Sequence, residues 1–90
     1  MANASVDLGR VGLWTGVLDS MPSSAANELC AEAAELGFQT IWIPEAVGRD
    51  PFVMAMRVLE NTTNVKIATG IANIYARDAM TMANAQRSIE

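Results

Sequence analysis

The sequence predicts an α/β fold built on a parallel sheet, and three observations carry that expectation. Short apolar runs open at Val11, about Ile41 and Val65. Each is followed by a stretch whose apolar residues recur at helical spacing. The first two runs are also apolar on both faces, as expected of strands covered by crossover helices. Three strand–helix units in that order imply parallel strands joined by right-handed crossovers.

The first strand candidate is Val11-Gly12-Leu13-Trp14-Thr15-Gly16-Val17. A polar, turn-prone segment from Asp19 to Ser24 follows. Ser23 or Ser24 is the expected cap of a helix whose Ala26, Leu29, Cys30, Ala33 and Leu36 form its inward stripe. Gly37 supplies the left-handed residue that commonly ends a helix. The second unit starts at Gln39, with Ile41-Trp42-Ile43 as a continuous apolar strand. Pro44 cannot donate a ladder hydrogen bond and should finish that strand. Asp50-Pro51 is a helix start with aspartate at the N-cap and proline at the first helical position. Phe52, Ala55, Met56 and Leu59 are its expected inward stripe, and Asn61-Thr62-Thr63-Asn64 ends it.

The third unit is the most informative. Val65, Ile67, Thr69 and Ile71 form a β-branched run suited to an enclosed strand. Gly70 stands where that strand should end. A glycine there marks a bulge, a strained peptide or close approach of a ligand to main chain. A helix is expected from about Asp78, with Ala79, Met82, Ala83, Gln86 and Ile89 on one face. In α/β folds chemistry collects at the carboxyl ends of parallel strands, so this unit bears on function as well as fold.

Composition bounds the rest. Ninety residues, 51% hydrophobic and 18% charged, predict one packed domain or a piece of a larger one. A net charge of -4 with scattered basic residues argues against a nucleic-acid partner. No apolar run approaches a membrane span, and residues 1–7, expected to be flexible, lack the basic and apolar regions of a secretory leader. A cytoplasmic location is the expectation. The chain has no histidine, which removes Ser-His and Cys-His catalysis and imidazole metal ligands. No metal site is expected; Met54, Met56, Met80 and Met82 read as helix packing, and Cys30 as a small core residue.

Gly9, Gly12 and Gly16 do not match a dinucleotide fingerprint, and no G-x-x-x-x-G-K occurs. A barrel or a flavodoxin-like sheet is therefore favoured over Rossmann and P-loop folds. Gln86-Arg87-Ser88-Ile89-Glu90 contains no helix stop signal, and three parallel strands leave two sheet edges open. The expectation is the front part of a longer fold, or a module completed by a partner such as a second copy.

Three stretches together resemble the N-terminal part of the luciferase-like monooxygenase superfamily. They are Gly37 to Glu45, Asp50-Pro51-Phe52, and Asn61 to Ile71. Ala72-Asn73-Ile74-Tyr75-Ala76-Arg77-Asp78 looks most like its F420-dependent oxidoreductase branch. The resemblance runs from Leu8 onward and implies the first three units of a (β/α)8 TIM barrel, whose full length is about 250 residues. It implies hydride transfer between F420, or alternatively FMN, and a small organic substrate. A flavin monooxygenase acting with oxygen is the close alternative; a module without cofactor is the alternative of another class.

The resemblance also implies site residues. Thr69, Gly70, Ile71, Ala72 and Asn73 would hold the cofactor, with a non-prolyl cis peptide between Gly70 and Ile71 backing its ring. Glu45 takes the position of the family's acidic residue at the end of the second strand, and is the candidate catalytic group. Many relatives follow that acid with a histidine; here Ala46 stands in its place and cannot move a proton. Trp14, near the end of the first strand, is the substrate-side candidate. Plainer readings pair Glu45 with Arg49, pair Arg77 with Asp78 or Glu90, and leave Trp14 and Trp42 in the core. Arg77 beside the third helix is also a candidate for holding a phosphate or carboxylate.

Overall fold

The structure, a computed structural model, describes residues 6–90. The expectation for residues 1–7 falls mainly on residues 1–5, which lie outside the described residues. Strands β1 (Val11–Trp14), β2 (Phe38–Ile43) and β3 (Lys66–Thr69) alternate with helices α1 (Ser23–Glu35), α2 (Pro51–Asn61) and α3 (Ala79–Ile89). The sheet is parallel throughout, in the order β1-β2-β3. Trp14 pairs with Trp42 and Trp42 with Ala68; Ile43 pairs with Thr69. The chain is thus α/β with three parallel strands and three helices, matching the first βα units of a TIM barrel with the sheet not closed.

Side chains alternate across each strand, and this divides the sheet into two faces. Leu13, Ile41, Ile43 and Ile67 join Ala26, Cys30, Ala33, Met54 and Val58 in one core beneath α1 and α2. Gly12, Trp14, Trp42 and Ala68 share the other face. Trp42 leans across β1 there: a Cβ on Gly12 would lie 2.7 Å from its Nε1. Thr40 is the one buried polar residue of the described chain, and its hydroxyl donates to the Leu8 carbonyl at 2.7 Å. Burial also pushes the Cys30 thiol pKa up, in keeping with an inert core position.

The local signals mostly act as expected. Asp50 caps α2 by accepting from the Phe52 and Val53 amides, with Pro51 in the first turn. Asp78 caps α3 through the Thr81 amide. Gly37 takes φ +104° after α1, a conformation that side chains with a Cβ rarely adopt.

Five details differ. The first strand ends at Trp14, and Val17–Ser20 form a 3-10 turn instead of continuing it. Pro22, not Ser23 or Ser24, occupies the α1 N-cap, and no side chain caps that helix. Leu36 is 72% exposed, because α1 ends at Glu35 and Leu36 is its C-cap residue, past the turn in which Ala33 is buried. On α2 the buried residues are Pro51, Met54, Ala55 and Val58, while Phe52, Met56 and Leu59 line a cleft beside α3. Lastly, Ile71 lies beyond β3, which ends at Thr69.

Candidate functional site

The carboxyl ends of the strands bring together residues far apart in sequence. Beyond β2 the chain continues in near-ladder contact with the end of β3: the Gly70 amide donates to the Ile43 carbonyl at 2.7 Å, and the Glu45 amide to the Ile71 carbonyl at 2.9 Å. On the other side, the Thr15 amide donates to the Trp42 carbonyl at 3.0 Å. Glu45, Gly70 and Trp14 therefore share one rim. The Gly70–Ile71 peptide is trans, as are all peptide bonds among the described residues. The expected cis bond is corrected accordingly: Gly70 and Glu45 extend the β3–β2 hydrogen bonding with ordinary peptide geometry.

Glu45 is the most heavily engaged side chain at this rim. Its Oε1 accepts from the Asn73 amide at 2.8 Å and from Arg77 Nη1 at 2.9 Å. Its Oε2 accepts from Arg77 Nη2 at 2.6 Å. This is the two-pronged guanidinium–carboxylate geometry, stronger and more directional than a single ion contact. The expected pairing of Glu45 with Arg49 is not formed. Arg49 instead donates to the Met21 carbonyl and the Ser23 hydroxyl, tying the β2–α2 loop to the start of α1. Nor does Arg77 pair with Asp78 or Glu90; Asp78 is spent on its helix cap, and Glu90 accepts from Gln86.

Arg77 meets a third element as well. Its guanidinium lies 4.9 Å from the centre of the Phe52 ring and 3.5 Å from Asp50 Oδ2. Nη1 also reaches the Asn73 carbonyl at 3.4 Å. One side chain thereby joins the β2–α2 loop, the first turn of α2 and the β3–α3 loop. The electrostatics follow from this geometry. The Arg77 hydrogen bond, helped by the Asn73 amide, holds the Glu45 carboxyl at about 2, below the usual carboxylate range. Glu45 in turn raises the pKa of Arg77. At neutral pH Glu45 has no proton to give, and both of its oxygens already have donors.

The remaining candidates divide. Asn73 stands at the rim, but its side-chain oxygen accepts from the Tyr75 amide at 2.9 Å and so shapes its own loop. Ile71 is 60% exposed. Thr69 and Ala68 border an apolar cleft of about 760 Å³ between β3, α2 and α3, whose walls include Phe52, Met56, Leu59 and Ile89. Trp14 is more than half exposed, and its indole rests against Gly70 so closely that a Cβ on Gly70 would overlap its Nε1. That contact and the Arg77 fork are not readable from spacing. The only sequence signals are a glycine at a strand end and a cation just before a helix cap.

Three parallel strands alternating with three helices match the opening units of a (β/α)8 barrel, the fold class whose sites lie at the carboxyl rim of the strands. The chain belongs to the luciferase-like monooxygenase family, whose model matches residues 4–88. Members of this family generally use a flavin or F420 cofactor. No curated protein and no solved structure gives a match in the comparisons made. Among the described residues, no helix is long and apolar enough to cross a membrane.

Proposed function

We propose that the rim formed by β1–β3 is the cofactor floor of a flavin- or deazaflavin-dependent oxidoreductase, with F420 favoured and FMN the alternative. One observation carries this reading. Gly70 presents bare main chain at the strand end, and a flat aromatic group, the Trp14 indole, already rests against it. A planar ring therefore fits that surface, where any residue with a Cβ would obstruct it. Thr69, Gly70, Ile71, Ala72 and Asn73 would hold the group, and Trp14 would border the substrate side.

When bound, such a ring supplies hydride transfer to or from a small organic substrate; the protein's part is orientation and exclusion of water. Glu45 serves in this reading as a positioning residue. Its ionised carboxylate fixes the Asn73 amide and Arg77, and so sets the β3–α3 loop against the strand ends. An FMN monooxygenase acting with oxygen would use the same floor.

A second reading, an oligomerising α/β module without cofactor, is favoured by one feature: the open β3 edge beside the apolar cleft. Fluorescence titration of the 90-residue chain with F420 and with FMN separates the readings. Saturable binding, tighter for F420, is the expected result. A stable assembly by light scattering that binds neither would overturn the cofactor reading and favour the second.

A further inference from the structure

Two indoles lie over glycines on the helix-free face of the sheet, and they are held differently. Trp42 sits in the central strand, half-buried, with its ring over Gly12. Trp14 sits in edge strand β1, and its ring reaches past β2 to the end of β3, where it covers Gly70. Trp14 remains 57% exposed. Among the described residues no side chain or carbonyl hydrogen-bonds its indole N–H. Nothing polar is lost when it moves, and exposed side chains change rotamer on a picosecond-to-nanosecond timescale.

We propose that Trp14 is an internal plug: in the ligand-free chain its indole occupies the face of Gly70 that a planar cofactor ring would take, and it must swing aside for that ring to seat. The inference rests on the cofactor reading above and adds a gate to it. The same bare main chain serves both rings in turn. With Trp14 down, the indole fills the space directly above the Gly70 backbone, while Gly70 and Ile71 otherwise remain exposed. With Trp14 out, the indole becomes a wall beside the bound ring, consistent with a place on the substrate side. A gate of this kind reduces apparent affinity by the fraction of time it stands open. Removing it should tighten ring binding, whereas removing a stacking partner should weaken it. The two roles therefore predict opposite signs.

The test uses Trp42→Phe as background, so that Trp14 is the only tryptophan. Without ligand, adding Gly70→Ala should force the indole off the strand end, shifting its emission to longer wavelength and raising its quenching by acrylamide. Unchanged emission and quenching would overturn the contact itself. Titrations with FMN and with F420 then compare this background with Trp14→Ala and Trp14→Val. Valine keeps a strand-forming residue and guards against loss of fold. Both variants should bind about tenfold more tightly, the factor for a gate open about one-tenth of the time. Weaker binding, or equal binding by all three chains, overturns the plug and leaves the cofactor reading standing. No binding by any of them overturns both.

Discussion

Around β2, Ile41, Cys30 and Val58 are at most 1% exposed, whereas α3 has no buried residue at all. Both helices present apolar stripes, so hydrophobicity alone does not account for the contrast. Position in the sheet does. Central β2 has a strand on each side and is overlain by α1 and α2, which close a core across it. Edge strand β3 has a neighbour on one side only, and α3 rests on α2 across a cleft from β3. What links α3 to the rest at the rim is polar: the β3–α3 loop is held by Glu45 through Arg77 and the Asn73 amide. Apolar packing secures the first two units and β3, and directional charge contacts secure the loop that leads into α3.

The core side of that comparison breaks most severely. Ile41→Ala should destabilise the chain by about 2–5 kcal/mol, from lost transfer energy and the cavity left beneath α1 and α2. The urea midpoint of unfolding measures it; a loss comparable to a surface change would mean the core is not shared as described. Asp50→Ala removes the α2 cap and should cost about 1 kcal/mol, read the same way and accompanied by fraying of the first turn in amide exchange.

The polar attachment should respond to acid rather than to truncation of apolar groups. The Glu45 carboxyl is lowered from 4.5 to about 2 in the folded chain. A depressed folded pKa means its contribution is fully present above the ordinary value and is lost as pH falls through about 2. The Asn73 amide proton, bound to Glu45 Oε1, should report that midpoint in an NMR pH titration. The Gly70 amide, bound to a backbone carbonyl, should not titrate with it. A midpoint near 4.5 would show that the fork is not formed in solution. Glu45→Gln should speed exchange at Asn73 and leave Gly70 unchanged.

The smallest effect belongs to α3. Ile89→Ala should cost less than about 1 kcal/mol, because its side chain is only partly buried, at the wall of an open cleft. A loss near that of Ile41→Ala would mean that the cleft beside β3 closes in solution, erasing the contrast between the two flanks.

Much of the backbone plan was legible because it rests on local chemistry. Asp50-Pro51 and Asp78 declare helix starts, Gly37 a helix end, and the Ile41-Trp42-Ile43 run an enclosed strand. The errors arise where tertiary placement overrides pattern. Leu36 continues the apolar spacing of α1 yet falls beyond its last turn. Phe52, Met56 and Leu59 form as regular a stripe as Met54, Ala55 and Val58, and only the position of the sheet selects between them. The rim was legible as a place and not as a set of contacts. Glu45 and Gly70 were identifiable from strand ends, but Arg77 offered several equally near partners in sequence, and the one it takes lies two elements away.

The sequence by itself determined the number and order of βα units, their parallel sense and the residues that gather at the carboxyl ends. Those features follow from hydrogen-bonding and conformational preferences acting over a few residues. Only the tertiary structure decided that Arg77 clasps Glu45, that Gly70–Ile71 is trans, and that the Trp14 indole covers Gly70. Each of these depends on how β1, β2 and β3 stand side by side, a juxtaposition of distant segments that no local preference encodes.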